Sequence, residues 1–209
     1  RMVIILRNRE TQEIFLFLTG ADSGMVDKIS STERVYVEEE TEKLSKEGLR
    51  TLVFEYKILS QEQYSRFKQK MENAGRVLKL RDQAERKCIE ELEQNMSLLG
   101  VTGVEDLLQD DIKSSIMTLR NAGIKVWMLT GDKLETAKCI AISTGFKASD
   151  QKFFELNSLI ESDIIDQLSE LKPEHTLIVS GTVLEVIFRS KRLEEIFFNK
   201  AQDISSVVL

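Results

Sequence analysis

The sequence is poor in the residues that staple or metallate small folds: of 209 residues, two are cysteine, one is histidine and one is proline. Cys88 and Cys139 lie far apart and neither belongs to a Cys-x-x-Cys pair, which argues against a disulfide framework or a zinc site. Both thiols are expected to be buried, in a reducing compartment. His175 follows Pro173 and Glu174 just before an apolar run, has no metal or nucleophile partner at a telling spacing, and reads as a loop residue. No apolar run approaches the roughly 20 residues that cross a bilayer. No signal peptide precedes the first strand, so by itself the chain is expected to be soluble. A formal net charge of −6 supplies no basic field, and despite the local cluster Arg81, Arg86 and Lys87 no nucleic-acid partner is expected. What remains is an ordinary globular balance, 42% hydrophobic and 31% charged, in a chain long enough for one large domain or two smaller ones.

The most informative stretch is 123–137. There an apolar run, Val126-Trp127-Met128-Leu129, stops at Thr130-Gly131-Asp132 and helical spacing follows. The run is short and nearly all apolar, as in a strand buried on both faces of a parallel sheet. Asp132 stands where a helix cap belongs, with Glu135 three residues on as its reciprocal partner. A turn at Gly131 would lie at the carboxyl end of the strand, where open α/β sheets bind ligands and where the first N–H groups of a helix can hold a phosphate oxygen. Two readings of these residues stand side by side. Asp132 is an N-cap and Thr130 a strand-end hydroxyl, or the turn is an anion site in which Asp132 faces a phosphate across a cation, most suitably Mg²⁺.

The rest of the chain supplies the frame. Met2-Val3-Ile4-Ile5-Leu6 and Ile14-Phe15-Leu16-Phe17-Leu18 read as a hairpin, and a chain that opens inside a strand is expected to be part of something longer. Thr19-Gly20-Ala21-Asp22 follows as a strand-to-helix turn. A charged surface helix over 32–46 ends at Gly48, and 49–56 alternates as a strand beginning near Arg50. Arg50 taken alone is a solvated strand residue. Ser60 with Gln63 is a capping signature for a helix over 61–74 whose Tyr64, Phe67 and Met71 form one apolar stripe. A second helix over 82–96 carries Ala84, Cys88, Ile89, Leu92 and Met96 on one face. Two glycines in 98–104 mark a boundary and a hinge. Beyond the central stretch, helices over 162–171 and 191–201 and strands over 176–180 and 204–209 imply βαβ crossovers and a parallel sheet.

The string from Asp110-Asp111-Ile112 through Ser115-Ile116-Met117-Thr118-Leu119-Arg120-Asn121-Ala122-Gly123-Ile124-Lys125-Val126-Trp127-Met128-Leu129-Thr130-Gly131-Asp132-Lys133 resembles the phosphorylation domain of P-type ATPases. The closest likeness is to the branch that flips phospholipids, which carries a Trp in this strand and Gly-Asp-Lys-x-Glu-Thr-Ala after it. The resemblance implies an α/β chain of two parts. Residues 1–99 would be part of an antiparallel-sheet α+β nucleotide-binding lobe, and residues 100–209 part of a haloacid-dehalogenase-like, parallel-sheet phosphorylation domain. It further implies ATP and Mg²⁺ as cofactors. Arg50 would bind the nucleotide phosphates, Thr130 the transferred phosphoryl group, and Gly131 the same anion. Asp106 and Asp132 would support nucleotide and metal at the domain junction, with Gly20 and Ala21 on the adenosine side. Where the family has Lys-Gly-Ala, this sequence has Thr19-Gly20-Ala21, so a charge beside the nucleotide is replaced by a hydroxyl.

In that family the nucleophile lies in Asp-Lys-Thr-Gly-Thr and the Mg²⁺ aspartates in Gly-Asp-Gly-x-Asn-Asp. Neither string occurs here, so the chain alone is not expected to autophosphorylate. The parent implied is a multi-pass membrane protein with this part on its cytoplasmic side. Its partners would be ATP, a phospholipid reached through transmembrane helices, and, where one exists, an accessory subunit. Two other readings remain: a soluble phosphatase of the haloacid-dehalogenase type, and a non-catalytic nucleotide-binding or interaction module.

Overall fold

The computed structural model describes residues 1–76, 80–105, 107–148, 151–204 and 206–209. They fall into two compact units, Arg1–Ser45 with Leu49–Val104 and Lys46–Gly48 with Glu105–Leu209. Each unit carries its own four-stranded sheet.

In the first unit β1 (Met2–Arg7) and β2 (Ile14–Gly20) form the expected hairpin, and two 3-10 turns (Asp22–Gly24 and Val26–Lys28) lead to α1 (Ser31–Lys46). Then come β3 (Arg50–Leu59), α2 (Gln61–Gly75), α3 (Arg81–Leu92) and β4 (Ser97–Val104). The strand order is β1-β2-β3-β4, every pair antiparallel. α1 closes with the Leu49 N–H donating to the Leu44 carbonyl at 3.1 Å across Gly48, whose φ of +85° is the left-handed conformation that a glycine takes without strain. α2 opens in the anticipated capping box: Gln63 N–H donates to Ser60 Oγ at 3.1 Å and Ser60 N–H to Gln63 Oε1 at 2.8 Å. Ile14, Leu16, Leu18, Val53 and Leu59 of the sheet pack with Met25, Val26, Val37 and Met96 as one core.

Two expectations for this unit are corrected. α3 stops at Leu92 rather than at 96, because Asn95 turns the chain at φ 56°. Met96 then leaves the helix face and donates its N–H to the Lys28 carbonyl at 2.8 Å. The glycines of 98–104 lie within β4, which pairs with β3 along its length, so the division between the units falls after Val104 rather than at 99/100. A Cβ at Gly103 would stand 2.8 Å from Leu49 Cδ1 and 3.3 Å from Leu44 Cδ2. The glycine lets the strand pass close under the end of α1.

The second unit runs α4 (Ile112–Asn121), β5 (Val126–Met128), α5 (Leu134–Ser143), β6 (Lys152–Leu156), α6 (Glu161–Glu170), β7 (His175–Val179), α7 (Gly181–Arg189), α8 (Lys191–Asp203) and β8 (Ser206–Val208). Its strands lie in the order β5-β8-β7-β6 and all pair in parallel, as the alternation of strands and helices implied. Leu177, Val179 and Val207 face one cluster with Ile164, Leu168, Val183, Ile187, Leu193 and Phe197. Ile178 and Val208 face another with Ile116, Ala137, Ala141 and Phe146. The sheet is therefore sandwiched, the condition under which parallel sheets are stable.

β6 and α7 were not foreseen. The Val and Ile residues of α7 favour a strand locally, and it is helical because that face packs on the sheet. His175 opens β7 rather than standing in a loop, its ring stacked on Phe154 at 5.2 Å and its Nδ1 accepting the Lys172 N–H at 3.2 Å. Both cysteines are free thiols, half-buried rather than buried.

Candidate functional site

The turn after β5 is the best-defined piece of chemistry in the second unit. β5 stands at the edge of the sheet among the described residues and is half-buried, with Trp127 packed against the core cluster on one face and Val126 and Met128 against that on the other, and Leu129 is 74% exposed. The ladder with β8 continues past both strands, Leu209 N–H donating to the Met128 carbonyl at 2.9 Å and Thr130 N–H to the Leu209 carbonyl at 3.0 Å. Thr130 is thus held at the carboxyl end of the strand by main-chain bonds. Its hydroxyl donates to Asp132 Oδ2 at 2.8 Å and accepts the Asp132 N–H at 3.0 Å.

This geometry corrects the capping role expected of Asp132. The cap position of α5 is Lys133, with no side-chain capping bond. Asp132 instead folds back on Thr130, and Glu135 is engaged by Lys138 Nζ at 3.0 Å, which also reaches Glu155 Oε1 at 2.7 Å. Gly131 is exposed, with open space where a Cβ would be.

The support of this turn was not legible. Arg120, inside the motif string but with no local signal to single it out, extends from α4 and donates to the carbonyls of Gly145 and Phe146 and to Ser206 Oγ. Ser206 Oγ in turn donates to the Phe146 carbonyl at 2.9 Å. The guanidinium lies 5.1 Å from the Phe146 ring centre. One side chain therefore ties α4, the end of α5 and the start of β8 together, and β8 carries β5. On the other side Trp127 stacks on Phe198 at 6.2 Å.

In the first unit the sequence-selected residues gather toward one end of the sheet. Gly20 ends β2 opposite Val53, and Arg50 begins β3 opposite Val104. Arg50 and Ala21 are exposed and Gly20 is buried. A Cβ on Gly20 would come within 3.0 Å of Arg1 Cβ and 3.5 Å of Met25 Sδ, a close approach that accounts for the glycine by itself. Thr19, between Met2 and Phe54, has a buried hydroxyl with no hydrogen-bond partner. Asp106 lies outside the described residues.

The exposed Arg50 guanidinium suits an anionic ligand such as ATP, whereas the Thr19 hydroxyl is buried away from that surface. Mg²⁺ fares differently. Among the described residues no group of three or more His, Cys, Asp or Glu side chains is placed to hold a metal ion, and one oxygen of Asp132 already takes the Thr130 hydroxyl.

Comparison with known proteins bears on the whole chain. A family model described as P-type ATPase, cytoplasmic domain N, matches residues 1–111. The phospholipid-transporting ATPase NEO1 of Saccharomyces cerevisiae is 38% identical over 212 aligned residues, covering 100% of this chain and 18% of that protein. The phospholipid-transporting ATPase neo1 of Schizosaccharomyces pombe is 41% identical over 216, covering 100% of this chain and 20% of that protein. The chain spans about a fifth of the length of these curated relatives. No helix among the described residues is long and apolar enough to cross a membrane.

Proposed function

We propose that this chain, which belongs to the P-type ATPase family, holds ATP with its first unit and serves, on the cytoplasmic side of a membrane, an ATP-driven pump that moves phospholipid between leaflets. The observation that carries this reading is the match to cytoplasmic domain N over residues 1–111, which takes in the whole antiparallel unit. The names of the similar yeast proteins support the lipid as cargo.

The first unit is the nucleotide-binding part and the second the phosphorylation part, divided after Val104 rather than at residue 99. Arg50 takes phosphate oxygens, because a guanidinium fork matches two of them at once. Gly20 and Ala21 border the adenosine, and the buried Thr19 hydroxyl replaces the charge that a lysine would have offered with no contact of its own.

In the second unit the Thr130 hydroxyl is the group that meets the transferred phosphoryl, and Gly131 leaves that approach clear. Asp132 holds the hydroxyl, whose proton turns from Asp132 Oδ2 to the phosphoryl oxygen when the anion binds. Asp106 keeps the nucleotide-supporting role that the resemblance implies. ATP supplies the phosphoryl group, and its transfer depends on positioning and charge neutralisation. The sequence contains no Asp-Lys-Thr-Gly-Thr, so the transfer step is not assigned to its residues.

The test is calorimetric titration of ATP into the 209-residue chain and into Arg50→Ala. The parent chain is expected to saturate, and the variant to bind roughly ten-fold or more weakly, the equivalent of losing a charge-assisted bond worth about 1.5–3 kcal/mol. ATP binding that is absent, or indifferent to Arg50, would refute the reading.

A further inference from the structure

The first unit buries a carboxyl group that the proposed function does not use. Glu55 stands on β3 where the register with β4 slips, between Phe54 and Glu55, opposite Leu18 of β2 and Leu98 of β4. It is 0% exposed, and neither of its carboxylate oxygens has a hydrogen-bond partner. An ionised carboxylate is costly there, since it has lost water and gained no donor.

Charged groups of both signs surround it. From the second 3-10 turn comes the Lys28 ammonium, which donates to the Gly24 carbonyl at 2.9 Å and lies 3.7 Å from Glu93 Oε2. From α1 comes Glu33, its oxygens taken by the Leu98 N–H at 3.0 Å and the Ser30 hydroxyl at 2.6 Å. From the end of α3 comes Glu93, 1% exposed and bonded by Arg1 Nε at 2.9 Å. Lys57, two residues along β3, donates to the carbonyls of Gln94 and Leu92. Burial, opposed by Lys28 and reinforced by Glu93 and Glu33, pushes the Glu55 carboxyl up to about 7.

We propose that Glu55 is a proton switch of the first unit: protonated, it sits in the sheet as a neutral side chain; ionised, it draws Lys28 from Gly24 and Glu93 and loosens segment 22–30. Lys28 transmits this through its own turn, which also carries the buried Met25 and Val26 of the core. Gly24 N–H donates to the Ala21 carbonyl, Met25 N–H to Asp22 and Lys28 N–H to Met25, and Met96 N–H donates to the Lys28 carbonyl. The segment begins two residues after Gly20, so proton binding at Glu55 bears on the end of β2.

The sign follows from the direction of the shift. A glutamate of ordinary value 4.5 that titrates near 7 when folded binds its proton more tightly in the folded state. The stability it contributes is complete below the ordinary value, is lost as pH rises through the folded one, and is level above.

The experiment is urea unfolding of the 209-residue chain and of Glu55→Gln between about pH 5 and pH 8.5. The parent midpoint is expected to fall up to about pH 7 and then level, while that of Glu55→Gln stays level throughout. An equal pH dependence in the variant overturns the proposal. Should Glu55→Gln fail to fold, the ¹³C titration of the Glu55 carboxyl in the parent chain decides. An inflection near 7, with amide exchange at Gly24, Met25 and Lys28 accelerating beyond its intrinsic rate on the alkaline side, supports the switch. An inflection at the ordinary glutamate value overturns it.

Discussion

The two sheets have four strands each and bury them differently. The parallel sheet of the second unit has a core cluster on either face, so the central residues of β7 alternate between two interiors and all are buried. The antiparallel sheet of the first unit is covered on one face. Along β2, Ile14, Leu16 and Leu18 are buried while Phe15 and Phe17 between them are half-buried and stacked on each other at 5.9 Å. Their neighbours across the ladder, Ile4, Leu6 and Ile58, are 50%, 48% and 53% exposed. β2 and β7 both contain an unbroken apolar run, 14–18 and 177–179, so hydrophobicity alone does not report how many faces are covered. Antiparallel sheets tolerate one open face, whereas parallel crossovers lay helices on both.

The sharpest way to break this contrast is to hollow one interior. Phe197 is fully buried in the cluster under α8, and Phe197→Ala should cost about 3–5 kcal/mol, read as a urea transition of the second unit that separates from that of the first. A loss below about 1 kcal/mol would mean that the parallel sheet is not packed as described. The capping serines give a smaller comparison between the units. Ser60 closes a reciprocal box on α2, while Ser180 accepts the Val183 N–H on α7 and shares a 3.0 Å hydrogen bond with Thr182 Oγ1. Ser60→Ala and Ser180→Ala should each cost about 1 kcal/mol, with Ser60 the larger because its capping bond is the shorter, 3.1 Å against 3.4 Å. Smallest of all is the open face: Ile4→Thr should change stability by no more than about 0.5 kcal/mol. A cost near that of a core truncation would show Ile4 to be covered in solution, erasing the difference between the sheets.

Much of the frame was legible because it is written in local chemistry. The hairpin follows from two apolar runs around a polar turn, α2 from Ser60 and Gln63, the end of α1 from Gly48, and the strand-to-turn break at Thr130-Gly131-Asp132 from an apolar run that stops. β4 was not legible. Its glycines imitate a linker, and only Leu44 and Leu49 pressing on Gly103 explain them. α7 was hidden by its β-branched residues. At the site, the position of Asp132 was readable but not the direction of its side chain, since a cap and a bond back to Thr130 begin from the same spacing. Arg120 gave no signal, because its acceptors lie on segments remote in sequence.

The sequence by itself determined the elements whose causes lie within a few residues: caps, turns, helix ends, the parallel character of the second half and the family to which the whole is kin. Tertiary structure alone decided which sheet face is covered, that Thr130 and Asp132 hold each other at the end of a half-buried strand, and that Glu55 is sealed in without a donor. Burial and hydrogen-bond partners are properties of segments brought together by folding, and a residue such as Glu55 reads as an ordinary solvated strand glutamate until Leu18, Leu98 and Glu93 close around it.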